Sequence, residues 1–207
     1  MIYIVVGILG SLLMFLGDMC LYYSEAGFDP KNSEESIFEN LRQAPTRRLC
    51  NGAFLGPIAA YLYSISYYHF VYYTLPEFSV WAWAAMLISM LGIIIGGAFH
   101  HYFAALGMVL KSGSEEALES LLKHFNFLKI WPFLLNGLGL LIWAGLILCG
   151  KTSFPSWLAF LTPAPLMLLL IFWYRLPKRA RMIVAGGWTN LGPLTYYVLA
   201  LVLAALS

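Results

Sequence analysis

Four ionisable side chains fall inside strongly apolar stretches of this 207-residue sequence: Asp18, His69, His100 and His101. Such groups are costly within a bilayer, so they concentrate at functional sites or pair with one another. An acid beside an imidazole can hold or pass a proton, because the opposite charge favours the protonated ring while burial opposes it. Asp18 with one of the histidines is therefore the first candidate couple, for proton-coupled binding or for general acid/base chemistry. Adjacent residues of a helix point about 100° apart. His100 and His101 thus do not both face one small centre, and the sequence leaves open which of them does.

The elements that must position these groups follow from composition. The chain is 61% apolar and 11% charged, with a mean hydropathy of +0.77, far from soluble norms. It reads as an all-α, polytopic membrane helix bundle in one domain, residues 1–207. Spanning about 30 Å of hydrocarbon takes about 20 apolar residues, and six stretches approach that length: 2–22, 50–74, 80–109, 129–149, 156–174 and 183–206. The first lacks a basic n-region and a small-residue cleavage site, so it reads as a retained helix rather than a signal peptide.

With six spans, Lys31, Arg42, Arg47, Arg48, Lys111, Lys123, Lys129, Arg175, Lys178, Arg179 and Arg181 fall on one side, and only Lys151 lies opposite. The positive-inside rule makes the loops after helices 1, 3 and 5 cytoplasmic. Both termini then lie outside, and a bacterial inner membrane is the expected location. Ser112 and Glu115 have capping-box spacing ahead of Leu118, Leu121, Leu122 and Phe125, which predicts an interfacial amphipathic helix over 113–127. A weaker pattern of Ile37, Phe38 and Leu41 occupies the first loop.

Depth sorts the polar groups. At about 1.5 Å per residue, Asp18, His100 and His101 lie in the cytoplasmic half. His69 falls on the far side of the midplane. Asn51, Asn136, Trp188, Thr189 and Asn190 share the inner layer with two helix-disturbing prolines, Pro57 and Pro193, which free the carbonyls of Ala53 and Thr189. Convergent polar groups on disturbed helices commonly build membrane sites. The expected site is a cytoplasm-facing pocket with Asp18, His100 and His101 as the acid/base set and those five residues as ligand contacts.

Other chemistries fail on spacing. Asp18 plus one histidine does not supply the three or four ligands that zinc needs, and the late His-x-x-x-His helix of the alkaline-ceramidase-like zinc hydrolases is missing. No Gly-x-Ser-x-Gly elbow or P-loop occurs. Cys20, Cys50 and Cys149 form no CxxC pair. No metal and no cofactor is expected. The net charge of +2 offers no basic face for nucleic acid. Gly92-x-x-x-Gly96 allows close helix approach, and with it possible self-association into a homo-oligomer.

Gly17-Asp18 with Tyr22-Tyr23, Asn51 with Leu55-Gly56-Pro57, Gly96-Gly97 with His100, and Gly187-Trp188 with Asn190 and Gly192-Pro193 together resemble a family of uncharacterised small six-helix bacterial membrane proteins. The resemblance covers the whole chain and implies the fold; it carries no activity. Three functions stay open: binding of a membrane lipid or small amphiphile with possible proton-coupled transport, an intramembrane isomerase or hydrolase acting on a lipid-soluble substrate, and a structural subunit whose polar layer serves packing.

Overall fold

The computed structural model describes residues 1–25 and 27–206, and these residues are helical throughout apart from loops and one isolated antiparallel bridge between Thr74 and Thr152. In chain order the helices are α1 (Ile2–Tyr22), α2 (Ser33–Gln43), α3 (Thr46–Ser66), α4 (Tyr68–Tyr72), α5 (Ser79–Ser112), α6 (Glu115–Leu128), α7 (Ile130–Leu148), α8 (Pro163–Leu166), α9 (Leu170–Trp173) and α10 (Lys178–Leu206). Four continuous segments are long and apolar enough to cross a membrane: Ile2–Tyr22, Pro76–Ser112, Glu115–Leu148 and Lys178–Leu206. The chain is thus compatible with an integral membrane protein. Its outward faces agree, since Val5, Leu9, Leu12 and Leu16 on α1 and Leu134, Leu138 and Leu141 on α7 are all exposed.

Packing neighbours run α10, α1, α3, α5, α7, and the segment 156–173 closes the circuit between α7 and α10. One half of the interior is filled by buried aromatics: Tyr63, Phe70, Trp143, Tyr196 and Tyr197. A second apolar cluster at the opposite end joins Leu21, Leu41, Leu49, Leu106 and Leu110. That end also gathers cations, since Lys111 donates to the Ala44 carbonyl and Arg181 to that of Phe28.

Three sequence expectations need correction. The expected fifth helix, 156–174, is a string of short turns. Pro163 and Pro165 have no N–H to give, and the Thr162 hydroxyl takes the Ala159 carbonyl instead. Residues 50–74 form α3 and α4 rather than one helix, with the break at Tyr67, where the His69 ring captures the Ser66 carbonyl at 2.7 Å.

The third concerns residues 113–127. They form α6, capped by Ser114 rather than Ser112. Gly113, at φ +72°, turns the chain back, and α6 then runs along α5 with Phe125 against Phe99 and Phe103. Its Leu118, Leu121 and Leu122 cover the Leu21 cluster. The apolar stripe is half-buried against protein. Lys129, the one residue between α6 and α7, keeps helical dihedrals, so the two continue almost without interruption.

Candidate functional site

Asp18 sits one turn from the end of α1 and is 6% exposed, as are His100 of α5 and Asn190 of α10. The Asn190 amide donates to Asp18 Oδ2 at 2.7 Å, and His100 Nε2 stands 3.4 Å from Asp18 Oδ1. The other side of Asn190 accepts from the Tyr63 hydroxyl of α3 at 3.2 Å. Four helices therefore meet at one carboxylate.

Small residues make that meeting possible. A Cβ on Gly56 would collide with the His100 ring, and one on Gly17 would come within 3.0 Å of it. Both helices expose bare backbone where the imidazole enters. The ring is fixed further by the Gly52 carbonyl, 3.1 Å from Nδ1. A carbonyl can only accept, so Nδ1 carries hydrogen and Nε2 is the nitrogen turned to Asp18.

That tautomer determines what the pair can do. Without a proton between them, a carboxylate oxygen and an imidazole lone pair would face each other in a dry setting, and this is unfavourable. A proton on either partner would bridge the two atoms, as imidazolium with carboxylate or as imidazole with carboxylic acid, so the geometry suits the pair to take up one proton as a unit. Oδ2, occupied by Asn190, is not the oxygen that carries it. The Tyr22 hydroxyl lies beside the carboxylate and donates to the Gly186 carbonyl at 3.3 Å.

His69 stands apart, as its depth requires. It is fully buried, donates from Nδ1 to Ser66, and accepts at Nε2 from the Tyr196 hydroxyl at 2.9 Å; that hydroxyl accepts in turn from Trp143 at 2.8 Å. Every hydrogen-bonding group of the trio is used by a neutral ring. His69 is a tie between α4, α7 and α10.

The other sequence candidates scatter. His101 is exposed on the outer side of α5, and Asn51 is exposed on α3. Asn136 of α7 accepts from the Tyr67 hydroxyl at 3.0 Å, away from Asp18. The Trp188 indole donates to the Leu166 carbonyl at 2.7 Å, holding the broken segment 163–173. Thr189 Oγ1 lies 3.4 Å from the Asn190 amide, at the edge of the centre. The spacing reserved for self-association is used within the chain, because Gly92 is buried against the Asn136 backbone. Among the described residues no group of three or more His, Cys, Asp or Glu side chains could hold a metal.

Tyr63 escaped the sequence reading and Tyr22 entered it only within the Tyr22-Tyr23 landmark, because a tyrosine near a helix end or within an aromatic run has an ordinary belt or core role. The usable signal was depth: Tyr22 is one helical turn past Asp18. The full length of the chain, residues 1–207, matches one family model. The chain belongs to the DUF6796 family, a family of unknown function. No curated protein and no solved structure matches it. Membership fixes kinship and leaves the function to be argued from the geometry just described.

Proposed function

We propose that the chain is a six-span protein of the bacterial inner membrane that binds a small amphiphile in its cytoplasmic half and couples that binding to the proton held by Asp18 and His100. The carrying observation is a buried carboxylate and imidazole 3.4 Å apart at a four-helix crossing. Ionisable groups retained at that depth are functional by default. In this reading the turns over 156–174 make the fifth crossing, the loops after spans 1, 3 and 5 are cytoplasmic, and both termini lie outside. The gathering of Lys111, Lys178 and Arg181 at one end supports that orientation.

A structural role is favoured by a different observation. Gly17 and Gly56 close tightly around His100, as a packing network would. An intramembrane acid/base enzyme would use the same couple and requires in addition that a substrate reach Asp18 Oδ1.

The test pairs ligand retention with stability. Wild type, Asp18→Asn and His100→Gln are purified gently, loaded with a bacterial inner-membrane lipid extract, and examined by native mass spectrometry and by melting in detergent at two pH values. The groups facing Asp18 are His100, Tyr22 and, through Asn190, Tyr63. The proposal expects amphiphile retention that changes with pH in wild type and not in Asp18→Asn. Retention that is pH-independent in wild type, or unchanged in both variants, overturns it in favour of packing.

A further inference from the structure

On the outside of the bundle, α3 and α5 leave a groove of about 720 Å³ between them. Its α3 wall carries Pro57, Tyr61 and Ser64; its α5 wall carries Met90, Ile94, Ala98 and His101. The helices come close along its floor because small residues line the seam: Gly97 lies against Ala60 and Gly56 where the helices touch. The floor is apolar, since the Ser64 hydroxyl turns back to the Ala60 carbonyl at 2.8 Å. The outward faces of α1 and α7 instead carry rows of large, exposed aliphatic side chains.

The two ends of the groove differ. One end is closed by a run of rings, with Tyr3 to Tyr68 at 4.9 Å and Tyr68 to Trp83 at 5.9 Å. The other end opens at His101. Beyond it the exposed stripe of α3 continues at helical spacing through Phe54 and Asn51 to Arg47, and α5 ends at Lys111. Apolar length therefore leads to a cationic rim.

We propose that this groove seats one extended acyl chain of an anionic phospholipid, with the ester end of the chain at His101, the phosphate beyond it toward Arg47, and the chain terminus under Tyr68. From His101 to Met86, the groove residue of α5 nearest the closed end, the helix rises about 22 Å. An extended chain advances about 1.3 Å per methylene from a C–C bond of about 1.5 Å. The groove thus matches a chain of roughly 16–18 carbons, and its width between two touching helices admits a single linear chain. The positive rim selects an anionic headgroup.

This inference is independent of the Asp18 reading, because His100 turns into the bundle and His101 turns outward from the next position of the same helix. Asn51 and His101, which do not reach the polar centre, find a common setting on this face.

The experiment reconstitutes the full chain into vesicles of equal dioleoyl-phosphatidylglycerol and dioleoyl-phosphatidylcholine and counts retained lipid by native mass spectrometry. Wild type retains one phosphatidylglycerol in preference to phosphatidylcholine. Ala98→Phe fills the groove from α5 and lowers retention of either lipid by roughly tenfold or more, the scale of losing a few buried methylene contacts. Ser64→Phe does the same from the opposite wall, so failure of one variant to fold leaves the other decisive. Arg47→Gln keeps the chain and loses the headgroup preference. Asp18→Asn leaves retention of phosphatidylglycerol unchanged, which separates failure of the proton coupling from failure of the groove. A phosphatidylglycerol carrying a photoreactive group at mid-chain labels residues 57–65 and 86–98. Equal retention of the two lipids by wild type, wild-type retention by both filling variants, or label spread evenly over α1 and α7 overturns the proposal.

Discussion

Replacing Asp18 by leucine and by asparagine separates the hydrogen-bonding role of the side chain from its proton. Leucine leaves the Asn190 amide N–H and the His100 Nε2 lone pair without partners. An unpaired buried polar group costs about 1–3 kcal/mol, and side-chain hydrogen bonds measured within membranes average about 0.6 kcal/mol. Taken together, Asp18→Leu should cost roughly 1–4 kcal/mol, which lowers the melting temperature of a chain this size by about 2–16 °C. Asparagine meets both partners: its carbonyl accepts from Asn190, and its amide donates to the lone pair that the Gly52 contact leaves on Nε2. Asp18→Asn should therefore stay within about 1 kcal/mol of wild type while losing the exchangeable proton. Melting in detergent reads the first effect. Nitrogen-15 spectra of a histidine-labelled sample read the second, with the Nδ1–H tautomer of His100 retained in Asp18→Asn. If Asp18→Leu melts with wild type, the carboxylate is not tied as described. If Asp18→Asn falls as far as Asp18→Leu, the assigned tautomer is wrong.

Gly139→Ala places a methyl 2.6 Å from the Ala85 carbonyl and against Ser89 Oγ, and should lose about 1–3 kcal/mol by overpacking; Gly145→Ala, which meets open space, should be neutral or stabilising by up to about 1 kcal/mol in the same melting assay. Trp188→Phe strands the Leu166 carbonyl and should raise amide hydrogen exchange over 163–173 while leaving α1 and α3 protected. For orientation, cysteines placed beside Arg47 and Lys178 in a chain lacking its native cysteines should resist an impermeant thiol reagent in intact cells, whereas ones beside Glu77 and Lys151 should react; the opposite pattern would invert the topology.

Legibility varied with the physics that set each feature. The bounds of α1 and α7 follow closely from apolar length, because a span is fixed by bilayer thickness and little else competes. Segment 156–174 has the same length of apolar residues but is broken into short helical pieces, since Pro163 and Pro165 supply no N–H to carry the turn of 156–161 onward and Trp188 holds the break from another helix. That repair is tertiary and leaves no local trace. Depth arithmetic gathered Asp18, His100 and Asn190 correctly into one layer, yet it also gathered Asn51 and His101. Rise along the axis says nothing about which face a residue takes. The face was set by glycines: the bare surface of Gly17 and Gly56 admits the His100 ring and leaves His101 outside. α6 misled for a related reason, as its apolar stripe suits a membrane surface and the Leu21 cluster equally well.

The same glycines show why close packing around His100 does not by itself decide between a working centre and a structural one. A polar network kept only for packing can be replaced as a set by apolar side chains of similar size at little cost, often with a gain, because the desolvation of its members disappears with it. Removing one member is what costs stability. The triple variant Asp18→Leu, Asn190→Leu, His100→Phe, combined with Tyr63→Phe so that no stranded hydroxyl remains, should therefore recover much of the stability lost in Asp18→Leu alone. Against this recovered fold, amphiphile retention becomes the deciding measurement. If the replaced centre folds as well as wild type and retains amphiphile with the same pH dependence, Asp18 and His100 were packing elements throughout. If it folds and no longer responds to pH, the shared proton was the reason for keeping a carboxylate at a position where leucine is the cheaper residue.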